Sequence, residues 1–157
     1  MTQDTCILDA KDRRLLAALQ EDATLTAQAL AERVHLSPSQ AARRRARLEA
    51  AGVIAGYAAR LDAARLGLGV QAFIRVIMAA HSAEASQGFA RLLAGLPEVV
   101  HAWTLTGEAD YLLQVWCEDL AGLNRLVQDR LLPHPAVARV QSQIVMEQLK
   151  RSGALPV

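Results

Sequence analysis

The 157-residue sequence predicts an α+β protein in two parts: a helix-turn-helix over the first fifty residues, then a ferredoxin-like unit of four strands and two helices. Three observations carry that prediction. Apolar residues up to Leu48 recur at helical spacing, three times behind a capping residue. After Gly52 the period changes, and strand-like runs alternate with two helical stripes. The charge is uneven: residues 33–47 carry five arginines and no acid, whereas residues 61–157 carry 8 basic and 9 acidic side chains.

Asp9 caps a first helix that begins at Ala10, with Leu15, Leu16 and Leu19 as its stripe and Glu21-Asp22 at its end. Thr26 caps a second, with Leu30, Ala31 and Val34 at the same spacing. The third start is the best defined. Ser37 is the N-cap, Pro38 suits the first helical position, and Gln40 completes a capping box. This helix runs through Ala41 and Leu48 to Ala51, where Gly52 stops it. Only His35 and Leu36 separate the second and third helices, which forces a sharp angle. That is a helix-turn-helix, whose second helix lies in the major groove of DNA. Ser39 and Gln40 would approach base edges, and Gln can bond adenine at two points. Arg43, Arg44 and Arg47 would reach bases or phosphates, the phosphates giving affinity and salt dependence rather than specificity. The same pattern also suits a plain three-helix bundle with a solvated basic face. Arg45 lies four after Ala41 and three before Leu48, on the face expected to be buried. Either its stem carries the charge outward or this face is open.

Val53 to Leu61 reads as a connecting strand, and Asp62 to Gly69 as a hinge or short turn. Val70 to Ala80 is strand-like. Ala83 to Ala94 is helical, with Phe89, Leu92 and Leu93 on one side. Glu98 to Thr106 and Tyr111 to Cys117 are strands joined by the turn Gly107-Glu108-Ala109-Asp110. Asp119 caps a helix through Leu132, with Leu123, Leu126, Val127 and Leu131 as its stripe, and Pro133-His134-Pro135 ends it. Val137 to Leu149 is the last strand. The order β-α-β-β-α-β places both helices on one face of an antiparallel sheet. The other face is bare in a single chain, so a homodimer is expected, which also suits paired recognition helices on a two-fold site.

Composition narrows the function. Apolar residues make up 52% of the chain and aromatics 4%, so the core rests on Leu, Val, Ile and Ala. No apolar run approaches the roughly 20 residues that span a bilayer. Met1 to Asp9 lacks the pattern of a signal peptide, so a cytoplasmic protein without membrane contact is expected. Cys6 and Cys117 are far apart, and nothing in their spacing calls for a disulfide. His35, His81, His101 and His134 lack ligand spacing, so neither a metal nor a cofactor is expected. A basic patch on a chain of net charge +1 is the asymmetry of a DNA-binding element joined to something else.

The chain resembles the Lrp/AsnC, or feast/famine, group of regulators over nearly its whole length. The resemblance rests on Leu8-Asp9-Ala10-Lys11-Asp12-Arg13-Arg14-Leu15-Leu16, on Leu36-Ser37-Pro38-Ser39 with Arg43-Arg44 and Leu48-Glu49, and on Gly52-Val53-Ile54-Ala55-Gly56-Tyr57. It continues through Leu96-Pro97-Glu98-Val99, Thr106-Gly107-Glu108-Ala109-Asp110-Tyr111-Leu112-Leu113, Asp119-Leu120, Ser142, Val145-Met146-Glu147 and Lys150. It implies an α+β chain with an N-terminal winged-type helix-turn-helix (residues 1–52), a linker strand and hinge (53–69), and a ferredoxin-like βαββαβ (RAM) effector-binding and oligomerisation domain (70–157). It implies homodimers that assemble further, octamers among them, double-stranded DNA with a pseudo-palindromic operator as partner, and an amino acid or related metabolite as effector. By position, Thr26, Ser37, Ser39, Gln40, Arg43, Arg44 and Arg47 would meet DNA. Trp103, Thr106, Gly107, Glu108, Asp110, Tyr111 and Ser142 would form or border the effector pocket. The turn has a plainer reading too: Gly107 serves a hairpin, Asp110 caps it and Tyr111 is core. Two departures stand out: Arg45 where the group has an apolar residue, and His134-Pro135-Ala136-Val137 where it has Pro-Gly-Val.

The mechanism that follows is a linked equilibrium, in which an effector favours one assembly state and so respaces the DNA-binding heads. Two rivals remain. One is an architectural DNA-binding protein without a ligand. The other is an enzyme similar to the siroheme decarboxylases, which share this two-domain plan. The chain lacks a nucleophile elbow, phosphate loop or paired catalytic carboxylates, so a non-enzyme is expected.

Overall fold

The structure, a computed structural model, describes residues 7–150 and 153–157. Cys6 and most of the segment read for a signal peptide lie outside the described residues. The chain divides into two compact units, one holding residues up to Arg60 together with Lys150–Val157, the other Leu61–Leu149.

The first unit contains α1 (Ala10–Glu21), α2 (Ala27–Val34) and α3 (Pro38–Ala50). Their starts are set by side chains that satisfy backbone N–H groups left without helical partners. Asp9 accepts from the Asp12 N–H, Thr26 from Ala29 and Ser37 from Gln40. At Asp9 and Ser37 the third helical residue answers, so both are full capping boxes. His35 turns the chain between α2 and α3 in the left-handed region, at φ 55. Gly52, at φ 70, stops α3, and the Val53 and Ile54 N–H groups fold back onto Leu48 O. Leu15, Leu30, Ala41 and Leu48 form the centre of this unit's core.

In the second unit β1 (Val70–Met78), β2 (Val99–Thr104), β3 (Tyr111–Cys117) and β4 (Val137–Ile144) form one antiparallel sheet in the order β2-β3-β1-β4. α4 (Ala83–Ala94) and α5 (Leu120–Arg125) connect the strands in the βαββαβ order. Alternation decides what is buried. Ala72, Ile74 and Val76 pair with Val115, Leu113 and Tyr111 and pack with Phe89, Leu93 and Leu123. Phe73, Arg75 and Ile77 point to the opposite face, which no helix of this unit supplies with core residues.

Three expectations need correction. Val53 to Leu61 is not a strand among the described residues, because no segment of the same chain pairs with it. The last strand ends at Ile144 rather than Leu149: its ladder with β1 closes at the Ala72–Ile144 pair with one further bond, from the Val145 N–H to Gln71 O, and Met146 and Leu149 are exposed. The helix expected through Leu132 is α-helical only to Arg125 and π-helical over Leu126–Leu131. The wider turn brings Leu126 and Leu131, five residues apart, into the same core, and the Leu132 N–H reaches Val127 O at 2.9 Å.

Candidate DNA-binding face and effector turn

Ser39, Gln40, Arg43 and Arg47 of α3 are three or four residues apart and exposed, so they share one solvent-facing surface. Ser37 stands at its entrance, 3.2 Å from Ser39 Oγ, and Thr26 caps the neighbouring helix. Gln40 spends its Oε1 on the Ser37 N–H, at 3.2 Å. Its Nε2 is the group left to read a base.

The arginines differ. Arg43 is exposed and forms no ion pair among the described residues. Arg44 is drawn inward, with NH1 2.7 Å from Asp9 Oδ2 and 2.8 Å from Asp12 Oδ1. Arg47 also bonds Asp12, yet its side chain remains 48% exposed. Asp12 is 1% exposed. Burial pushes its carboxyl up, but hydrogen bonds from Arg47, the Asp9 N–H and Arg44 outweigh that and hold it at about 2. Sequence reasoning missed Asp12, since nothing local signals a pairing 32 to 35 residues away. Arg45 does snorkel: it bonds Glu49 at 3.0 Å and Leu25 O at 3.3 Å, and lies 4.8 Å over the Tyr57 ring.

The turn between β2 and β3 is held at its base. The Leu105 N–H donates to Asp110 O at 2.8 Å, and the Asp110 N–H to Val76 O at 3.0 Å. Gly107 takes φ 119, where a side chain would be strained. One oxygen of Asp110, Oδ2, accepts from the Met78 N–H at 2.7 Å, while Oδ1 lies 3.5 Å from His81 Nδ1. Asp110 therefore pins the turn to β1 with one oxygen and offers the other outward. Thr106, Gly107 and Glu108 are exposed, and Glu108 reaches Arg75 at 3.7 Å. His81 and Arg75 were not foreseen, because strand register rather than sequence proximity brings them there.

The other expected effector residues lie apart. Tyr111 faces the helices, its ring 4.9 Å from that of Phe89. Trp103 pairs with Leu112 on the bare face and stacks on His101 at 5.4 Å. Ser142 pairs with Ile74, on the helix-covered face of the opposite edge strand. A shallow cavity of about 370 Å³ between α4 and β2 touches Trp103 and Tyr111. One chain thus gathers Thr106 to Asp110 at the turn but sends the Tyr111 ring into the core and leaves Ser142 at the far edge. Among the described residues no cluster of His, Cys, Asp or Glu could hold a metal, and no helix is long and apolar enough to cross a membrane.

Comparison with known proteins bears on both regions. Residues 8–55 match the family described as winged helix-turn-helix DNA-binding, and residues 71–155 the Lrp/AsnC ligand binding domain. The DNA-binding transcriptional activator DecR of Escherichia coli K12 is 38% identical over 151 residues, 96% of this chain and 99% of that protein. The leucine-responsive regulatory protein of Rhizobium meliloti is 39% identical over 91% of this chain and 92% of its own. Among solved structures, the transcriptional regulator NMB0573 of Neisseria meningitidis, crystallised as its L-Met complex, superposes with a TM-score of 0.92 at 42% identity, over 96% of this chain and 97% of that one.

Proposed function

The chain belongs to the Lrp/AsnC family of DNA-binding transcriptional regulators, and from that premise we propose that it binds a pseudo-palindromic operator as a homodimer or larger ring and answers to an amino acid. The observation that carries the DNA half is the exposed face of Ser39, Gln40, Arg43 and Arg47 on a doubly capped recognition helix. Gln40 reads a base edge, Arg43 and Arg47 hold phosphates, and Ser37, Ser39 and Thr26 approach the backbone beside them. Arg44 is a positioning residue here, since it ties α3 to α1 through Asp9 and Asp12.

For the sensing half, support comes from the neisserial relative, which was crystallised with L-methionine, and from the chemistry of the hairpin. Asp110 Oδ1 meets the effector's ammonium group, and the turn at Thr106, Gly107 and Glu108 supplies backbone groups. Trp103, Tyr111 and Ser142 border the pocket only when neighbouring copies assemble, which makes effector binding and assembly one equilibrium. The bare sheet face with Phe73, Ile77 and Trp116 is where a second copy docks. On this reading residues 1–52 form the DNA-binding head, 53–69 the connector and 70–157 the sensing and assembly domain. The protein acts in the cytoplasm without catalysing a reaction.

A thermal-shift screen against the amino acids tests the sensing half, because a ligand of the native state raises the melting temperature with dose. A hit is expected in the native protein and is lost in Asp110→Asn, which keeps an acceptor for the Met78 N–H but removes the charge. A hit that survives in Asp110→Asn moves the effector away from the turn.

A further inference from the structure

The apolar pattern of α3 leaves Arg45 without a place, and the structure gives it partners on three segments. Its Nε lies 3.0 Å from Glu49 Oε1, one turn along α3, and its NH1 donates to Leu25 O at 3.3 Å ahead of α2. Its guanidinium carbon sits 4.8 Å over the Tyr57 ring. The Tyr57 hydroxyl closes the set by donating to the same Glu49 oxygen at 2.8 Å. A cation over a ring and a charge-assisted hydrogen bond both hold more firmly than a neutral contact. DNA contact does not account for this cluster. With about 3.6 residues per turn, Arg45 points nearly opposite to Ser39, Arg43 and Arg47.

What the cluster holds is the chain that leaves the first unit. The Val53 and Ile54 N–H groups return to Leu48 O at 3.0 and 3.2 Å, and Ile54 packs against the core. Three residues on, Arg45 and Glu49 hold Tyr57. Residues 53–57 are therefore fastened at both ends. From Ala58 to Leu61 the chain makes no hydrogen bond or ion pair among the described residues. The next fixed point belongs to the second unit. There Asp62 Oδ1 accepts from the Ala64 and Arg65 N–H groups at 3.0 and 3.3 Å, and the Gly69 N–H donates to Glu118 O at 3.2 Å. The free length is thus residues 58–61, which span at most about 14 Å, whereas a connector free from residue 53 would span about 30 Å.

We infer that the Arg45–Glu49–Tyr57 cluster is a latch that determines operator spacing. It fixes the point at which the chain leaves each DNA-binding head, and so limits the half-site separations that two linked heads engage together. The inference rests on the operator reading proposed above. Linked heads gain avidity only when both reach their half-sites, and a short free length makes that condition strict. Arg45 and Tyr57 act as positioning residues. An apolar residue at position 45 would pack on the ring but hold neither Glu49 nor Leu25 O.

The test compares the native protein with Arg45→Leu and Tyr57→Ala on a duplex that the native protein selects from a random pool. A second duplex carries roughly 5 bp, half a helical turn, inserted between the half-sites, and a third carries one half-site. The insertion should cost the native protein about 100-fold in affinity and each variant no more than about 10-fold, with single-half-site affinity near native in all three. Limited proteolysis reads the latch without DNA. Chymotrypsin should cut after Tyr57 about 10-fold faster in Arg45→Leu than in the native protein, while trypsin cuts after Arg60 at a near-native rate. Tyr57 is 46% exposed, so Tyr57→Ala keeps the DNA contrast should Arg45→Leu fold poorly. Equal insertion penalties in native and variant proteins would overturn the inference. So would an unchanged rate of cutting after Tyr57 in folded Arg45→Leu. Equal losses on the single half-site and the whole operator would overturn it too, because the cluster would then serve α3 itself. A native protein that selects no duplex would overturn the DNA reading, and this inference with it, whichever way the proteolysis falls.

Discussion

Asp12 shows how a single buried residue shapes the surface of α3, by holding Arg44 and Arg47. Its carboxyl is held at about 2 against an ordinary 3.8. A depressed carboxylate stabilises the fold above its ordinary value and loses that contribution as pH falls through its folded value. The contribution is about 2 kcal/mol, since each tenfold change in proton affinity is worth roughly 1.4 kcal/mol. Thermal melts of the protein should therefore stay level down to about pH 4 on account of this group and fall between there and pH 2. Asp12→Asn should remove that part of the fall and cost about 2–4 kcal/mol at neutral pH, because the amide carries no charge and keeps only one of the two acceptor oxygens that Arg44 and Arg47 use. Denaturant midpoints measured across pH check both statements. Arg43 and Arg44 are neighbours with the same chemistry and opposite assignments. The sequence shows both as members of one basic run; only the fold separates the exposed one from the one turned toward α1.

Among the elements, the helices were legible because their signals are local. Asp9, Thr26, Ser37 and Pro38 announce three starts within the few residues that decide them. What the sequence could not yield were features decided by a distant partner. Val53 to Leu61 alternates well enough for a strand but pairs with no segment of the described residues, and the paired length of β4, Val137–Ile144, is decided against β1 rather than by its own apolar run. The π-stretch follows from two leucines five apart that must share a core, which a helical-wheel reading treats as one regular stripe. His35 is another such case, a left-handed residue in the turn of the helix-turn-helix. His35→Gly should stabilise the protein by about 0.5–1 kcal/mol, and His35→Val should destabilise it by about as much, since β-branching disfavours that backbone region. Melting temperatures of the two variants check the sign. Gly107→Ala should likewise cost about 1 kcal/mol, because the turn requires φ 119.

At the scale of the whole molecule, the proposed reading accounts for the bare sheet face and for the scattering of Trp103, Tyr111 and Ser142 with one device, a second copy that completes the sensing site. Sequence reasoning grouped these residues by position along the chain, whereas strand order sets Trp103 and Ser142 on opposite faces at opposite edges. Phe73→Glu on the proposed dimer face should reduce the mass seen by light scattering to that of one chain and weaken DNA binding with it. Retention of the native mass would place the interface elsewhere.

DNA binding by α3 is the central claim, and the salt dependence of DNA affinity in the Arg43→Ala and Arg44→Ala variants tests it most directly. Arg43→Ala should keep the native melting temperature, lose affinity at low salt, and lower the salt slope by about 1 for each phosphate contact removed. Arg44→Ala should lose stability first and bind with a near-native slope where it remains folded. Native affinity and slope in a folded Arg43→Ala protein would contradict the account, because the exposed face of α3 would then not be the surface that meets DNA.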